Sequence, residues 1–182
     1  MASPQRFSPF HRFLHWLMAI CILTMLFIGV GMVSTIAPKY LPLIAVHKTL
    51  GVTILILVVI RLGVRWRYGA PELPADLPIP MKLAAVSSHY VLYGLMIVMP
   101  LLGLAMLSAA DYPVVLLGGL RLPQLLPQSE RLHTLLWDAH HYLALAFFAV
   151  ILLHVAAALF HLLIRKDGVF AAMSPFPTRK RN

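Results

Sequence analysis

Residues 140–161 read HHYLALAFFAVILLHVAAALFH, an apolar run that contains four histidines and no Asp, Glu, Lys or Arg. About 20 mostly apolar residues in a helix suffice to cross the hydrocarbon core of a bilayer. The run therefore predicts a transmembrane helix. Ionisable groups inside such a helix are functional candidates by default, because hydrocarbon does not solvate them. These histidines thus bear on both the fold class and the chemistry.

Three further apolar runs can cross a membrane. The four predicted spans cover about residues 14–34, 43–64, 83–109 and 135–164. Residues 69–80, GAPELPADLPIP, contain four prolines and cannot continue a helix. We therefore expect an all-α membrane protein, a four-transmembrane-helix bundle that forms a single membrane domain over residues 1–182.

The composition supports this class. The chain is 60% hydrophobic and 12% charged, whereas a soluble domain carries about 25% charged residues. The mean hydropathy of +0.85 agrees with a membrane protein. The formal net charge is +9, but nucleic-acid binding is not expected, since the sequence has no basic groove or aromatic platform of the kind it needs.

Lys and Arg residues are distributed unequally between the two ends of the predicted bundle. Four spans place both termini at one end, which collects eleven basic residues, while the other end has four. Positive residues accumulate on the cytoplasmic side of membrane proteins. We therefore expect both termini in the cytoplasm of a multi-pass protein surrounded by membrane lipids. The four residues at the outer end are Lys39, Lys48, Arg121 and Arg131.

Two pairs of histidines match in membrane depth. His140 and His154 are 14 residues apart, which places them on one helix face and about 21 Å apart along the axis. That distance is too long for one metal ion and suits one cofactor near each membrane face. The second span begins at the outer surface, so depth pairs His47 with His140. The first span begins inside, so depth pairs His15 with His154.

The ligand set favours haem over a bare metal ion. Two imidazoles without carboxylate or thiolate hold a divalent ion poorly, which argues against a His-lined metal ion transporter. The single cysteine, Cys21, excludes a covalent C-x-x-C-H haem site. A haem supplies four iron ligands and needs two more, so the pattern predicts two non-covalent b-type haems. Two histidines on each iron leave no open position, which favours electron transfer.

Five segments resemble the bacterial cytochrome b561 family, and the resemblance extends over nearly the whole chain. By that match, His15, His47, His140 and His154 fall on the family's axial ligand positions. The resemblance implies a small di-haem b-type protein of the bacterial inner membrane. The segments are HRFLHW at 11–16, AVHKTLG at 45–51, RLGVRW at 61–66, SHYVLYGLMIVMPLLGL at 88–104 and HHYLALAFFAVILLHVAAALFHLLIRKDG at 140–168.

Family members of this length resemble a quinone-linked oxidoreductase that oxidises superoxide. The resemblance implies that superoxide becomes oxygen at the periplasmic side while ubiquinone is reduced. Lys48, Arg121 and Arg131 are then candidates for steering superoxide, and His161 is a candidate for the quinone site or for proton supply. The alternative function is a non-catalytic electron-transfer or anchor subunit for a periplasmic redox protein partner.

Three positions qualify the match. His140 is followed by His141, where relatives often carry an acid, so either histidine could be the outer ligand. His161 is followed by Leu162, where some relatives have a second histidine. His89 matches a recurrent histidine of the third helix that contacts haem without binding iron.

Overall fold

The computed structural model describes residues 6–34, 38 and 40–176, which form an all-helical bundle. Each of its four long helices is long and apolar enough to cross a membrane, which confirms the predicted fold class. The helices are α1 (Pro9–Val33), α2 (Tyr40–Tyr68), α3 (Ile79–Ala109), α4 (Glu130–Phe160), which continues as a π-helical turn (His161–Arg165), and the short α5 (Val169–Met173). Four basic residues counted above, Lys39, Arg179, Lys180 and Arg181, lie outside the described residues.

All four long helices begin before the predicted spans, and side-chain caps fix the starts of α1 and α4. α1 begins at Pro9, where the side chain of Ser8 accepts a hydrogen bond from the His11 N–H at 3.3 Å. Proline suits a first helical turn, since its missing N–H would have no partner there. Ser129 caps α4 in the same way. The hydropathy of the sequence therefore locates the hydrocarbon-embedded part of each helix, and the caps set its ends.

Consecutive helices are neighbours, so the bundle is antiparallel. α1 packs against α2, α2 against α3 and α3 against α4, while the backbone of α4 approaches α3 more closely than it approaches α1 or α2. This leaves side chains to bridge from α4 to the first two helices. The central core consists of Met18, Ile54, Val58, Tyr93, Met96, Met99, Phe147 and Ile151.

The described N-terminal and C-terminal segments contact each other at one end of the bundle. The Phe7 N–H donates to the carbonyl of Ala172 at 3.2 Å. The Arg6 guanidinium donates to the carbonyls of Ser174 at 2.8 Å and Phe176 at 2.7 Å. Both described ends therefore lie on the same side, as an even number of spans requires. We call this the terminal end of the bundle, and the opposite end the loop end.

Ser108 anchors the long α3–α4 connection at the loop end. Its side chain is buried, and its Oγ accepts hydrogen bonds from the N–H groups of Leu125 at 2.8 Å and Leu126 at 2.7 Å. The same hydroxyl donates to the Leu126 carbonyl at 3.1 Å. One side chain thus satisfies three backbone groups that the loop could not satisfy by itself.

Replacing Ser108 with Ala should destabilise the protein by about 2 kcal/mol, because buried N–H groups lose their acceptor. Unfolding by denaturant in detergent micelles measures this. Ser87→Ala is the matched control, since Ser87 is exposed and its hydroxyl bonds only carbonyls of its own helix, those of Leu83 and Ala84. Equal stability of the two variants would contradict the anchoring role.

Candidate functional site

Four histidines form two couples between α4 and the first two helices. The ring centroids of His47 and His140 are 6.2 Å apart, and those of His15 and His154 are 6.3 Å apart. The structure therefore brings together the same pairs that membrane depth predicted. We call them the outer couple, His47–His140, and the inner couple, His15–His154.

A spacing of 14 residues recurs on all four helices and builds two matching layers. Seven residues are close to two helical turns, so positions 7 and 14 apart lie on nearly the same face. The antiparallel arrangement aligns these positions across the bundle. The inner layer consists of His15, Arg61, His89 and His154, and the outer layer consists of Gly29, His47, Gly103 and His140.

The inner layer is polar and tightly connected. An Nη atom of Arg61 lies 2.8 Å from Nδ1 of His15. This contact joins α2 to the ring of His15. The ring of His89 lies 5.5 Å from that of His154, nearly perpendicular to it. His89 is therefore a neighbour of the inner couple, on the side of α3.

On α1 and α3, the outer layer has glycine where the inner layer has histidine. A Cβ at Gly103 would lie 3.4 Å from Cε1 of His140, so a larger residue would press on that ring. A Cβ at Gly29 would meet no described atom within 4 Å. His141 is exposed and its ring faces that of its neighbour Tyr142 at 5.6 Å. His140, and not His141, therefore faces His47.

An apolar layer separates the two couples. On each helix, its member lies seven residues from the inner-layer residue and seven from the outer-layer residue. Each member belongs to the central core or packs against it. No charged side chain takes part in it, so it excludes water and ions between the two sites. Its members are Ile22, Ile54, Met96 and Phe147.

The separation of the rings fits a metal held from both sides. With metal–nitrogen bonds of about 2 Å, and a ring nitrogen about 1.1 Å from its centroid, two opposed imidazoles have centroids roughly 6 Å apart. Both couples meet this distance. Within the described part of the chain, no cluster of three or more His, Cys, Asp or Glu side chains could hold a bare metal ion. Each couple thus suits a cofactor that supplies the remaining ligands of its metal itself, as haem does.

Three basic residues lie at the loop end. Lys48 is partly buried beside His47, whereas Arg121 and Arg131 are exposed in the loop and in the first turn of α4. The Leu117 N–H donates to Oγ1 of Thr49 at 2.9 Å, which ties the loop to the start of α2. The loop that carries Arg121 is thereby held at the end of the bundle nearest the outer couple.

His161 belongs to a hydrogen-bonded network at the terminal end. Its Nδ1 lies 2.7 Å from Oδ2 of Asp167, and Nε of Arg165 donates to the same oxygen at 2.9 Å. An ionised carboxylate only accepts, so Nδ1 of His161 carries a proton. Burial alone would raise the pKa of Asp167, but the hydrogen bonds from Arg165 and His161 outweigh it and hold the pKa below its ordinary value.

Sequence patterns did not reveal two features of the site. The contact between Arg61 and His15 joins two helices, and its only signal is the 14-residue spacing of Arg61 from His47. His11 is almost completely buried one turn before His15, although its place near the start of a helix suggests an interfacial residue.

Comparison with known proteins gives consistent matches. The family model for prokaryotic cytochrome b561 matches residues 6–176. "Cytochrome b561 homolog 1" of Escherichia coli (strain K12) is 29% identical over 178 residues, which cover 93% of this chain and 97% of the relative. "Cytochrome b561 homolog 2" of the same strain is 30% identical, covering 94% and 92%. "Probable superoxide oxidase CybB" of Yersinia pestis is 32% identical over 135 residues, covering 71% and 73%.

The network around Asp167 generates a pH prediction. Because the folded-state pKa lies below the ordinary value, its stabilisation is present above about pH 4 and is lost as the pH falls further. Asp167→Asn should raise hydrogen exchange of the α5 amides roughly tenfold at pH 7, the loss expected for charge-assisted hydrogen bonds. Relative to the intrinsic rate of an unstructured peptide at the same pH, acid should also raise the exchange of these amides in the unsubstituted chain, but should add nothing in the variant.

The control for this prediction is Asp76→Asn. Asp76 accepts from Arg165 at 2.8 Å but is largely exposed, so its loss should change exchange little. If both substitutions raised the exchange rate of the α5 amides equally, Asp167 would have no special role.

Proposed function

The chain belongs to the prokaryotic cytochrome b561 family, b-type haem proteins that transfer electrons in the bacterial inner membrane, and we propose that it does so through two haems. His47 and His140 would hold the outer haem, and His15 and His154 would hold the inner haem. The observation that carries the proposal is the separation of both ring pairs, 6.2 and 6.3 Å.

The protein's contribution is to fix these rings and the medium between them. A haem with two axial histidines carries one electron at a time and has no open iron position. The helix register fixes the depth of each couple, and Gly103 leaves room for the ring of His140. The layer of Ile22, Ile54, Met96 and Phe147 keeps water out of the space between the couples. Electrons can therefore cross the bundle without an aqueous path for ions.

We also propose the direction of the chain in the membrane. Eleven basic residues at the terminal end against four at the loop end favour a cytoplasmic terminal end. Residues 1–182 then form one membrane domain, with the outer couple near the periplasm and the inner couple near the cytoplasm.

The proposed reaction is oxidation of superoxide with reduction of ubiquinone. Two superoxide anions yield two oxygen molecules and two electrons, which reduce one ubiquinone to ubiquinol with two protons. Support comes from the name of the Yersinia pestis relative, a probable superoxide oxidase, and from the basic residues at the loop end. Lys48, Arg121 and Arg131 would attract the anion toward the outer couple. An outer-sphere electron transfer needs no open position on the iron.

His161 is proposed to serve the quinone side of this reaction. It lies seven residues after His154, on nearly the same helix face, and at the terminal end. Its Nδ1–H is bonded to Asp167, which leaves Nε2 as the nitrogen that can exchange a proton with a quinone oxygen. The Asp167 carboxylate holds the ring in this orientation.

Single histidine variants test the ligand assignment. His47→Ala or His140→Ala should remove the outer haem and keep the inner one, and His15→Ala or His154→Ala should do the reverse. Haem per chain and redox titration of purified variants measure this. His141→Ala is the matched control and should keep two haems. Retention of both haems in any of the four ligand variants would overturn the assignment.

The substrate proposal is tested with purified protein, a superoxide source and a soluble ubiquinone. Superoxide should reduce the haems and then the quinone. Replacing Lys48, Arg121 and Arg131 together with Gln should lower the second-order rate about tenfold at low salt, and high salt should abolish the difference. Arg67→Gln, at the opposite end, should have no effect. Haem reduction only by a redox protein partner would favour an electron-transfer subunit instead.

A further inference from the structure

Buried hydrogen-bonding atoms in and beside the inner layer have no partner among the described residues. Arg61 is 7% exposed, Tyr93 8% and His11 1%. Nε of Arg61, the hydroxyl of Tyr93 and both ring nitrogens of His11 have no hydrogen-bond partner among the described residues. Buried polar atoms without partners are rare in native proteins, because desolvating them costs free energy. These atoms therefore point to a ligand.

Arg61 is the centre of this group. Its Cζ lies 5.8 Å from the ring centroid of Tyr93, and its Nη lies 2.8 Å from His15. His11 is one helical turn from His15 and lies within electrostatic range of Arg61. Three helices, α1, α2 and α3, thus converge on one polar cluster beside the inner couple.

The chemistry of the cluster specifies an anionic oxygen ligand. A guanidinium has five donors in a planar fork that matches a carboxylate, and it carries no acceptor. Tyrosine and histidine add further donors. Arg61 is the only Lys or Arg that is buried in the described part of the chain. A buried cation that has no carboxylate partner among the described residues calls for an anionic ligand.

The surroundings of the cluster favour an occupant from the bundle interior. The ring of Phe7 packs on His11 with centroids 4.7 Å apart, and the Phe7 N–H is tied to Ala172. Arg12, by contrast, is already engaged, since it donates to the carbonyl of Ser174 at 3.0 Å. The C-terminal segment thus covers this side of the cluster and separates it from the aqueous phase.

We propose that His11, Arg61 and Tyr93 form a carboxylate site that binds a propionate of the inner haem. The assignment rests on the proposed function, because it takes His15 and His154 as the ligands of that haem. On α2, the outer-layer position 14 residues from Arg61 is His47. The arginine of the carboxylate site therefore has no counterpart in the outer layer.

The test compares haem with its dimethyl ester, which lacks charged carboxylates. The full-length chain with His140→Ala, which should bind only the inner haem, is produced in membranes of a haem-deficient host and titrated with either compound. A chain that takes up no haem, or two, in this background contradicts the ligand assignment itself. Uptake of one haem allows the carboxylate site to be tested separately.

In that background, haem should bind at least tenfold more tightly than the ester. Arg61→Gln and His11→Leu should weaken haem binding and remove this preference, while Arg61→Lys should keep part of it. Arg67 is an exposed arginine of the same helix, so Arg67→Gln should change neither the affinity for haem nor the preference for haem over the ester. Equal binding of haem and ester by the parent, or a preference that survives Arg61→Gln, would overturn the proposal. If ubiquinone removed the preference for haem over the ester in the parent, the site would belong to the quinone and the proposal would be overturned.

Discussion

The fold depends on one constraint, the placement of imidazole rings in a medium that does not solvate them. A histidine on a transmembrane helix needs a partner at its own depth. The seven-residue register meets this need, because it repeats the same helix face at intervals of about 10.5 Å. That repeat produces the two couples and the apolar layer between them. It also places His89 and Gly103 of α3 beside the two couples.

The two ends of the bundle differ in polarity. On α1 and α3, the inner layer carries His15 and His89 where the outer layer carries Gly29 and Gly103. The C-terminal segment, held by Arg6 and Arg12, covers the terminal end. The loop end is covered by a loop that Ser108 anchors and in which Arg121 is exposed. The bundle thus has two couples of nearly equal geometry but two chemically distinct ends.

The sequence alone predicts much of this architecture. Hydropathy and prolines locate four spans, because a helix in hydrocarbon must be long and apolar. Helical periodicity and depth predict both couples, because they depend only on chain direction and rise per residue. The family assignment is confirmed by the match over residues 6–176. The roles of individual residues stay predictions that the variants above address.

Other features depend on side-chain positions in three dimensions. The bond between Arg61 and His15 depends on how α1 and α2 rotate against each other. The choice between His140 and His141 depends on which of two adjacent faces of α4 turns inward. The network of His161, Arg165 and Asp167 requires a π-helical turn followed by Lys166 with a φ of 52°, for which the sequence has no simple signal.

The measurement that tests the central claim most directly is the haem content of the purified protein. The pyridine haemochrome absorbance, divided by the protein concentration from amino-acid analysis, gives non-covalent haem b per chain. Two stacked couples predict a value of two, with low-spin spectra for both. A value of one or zero in fully folded protein would contradict the account.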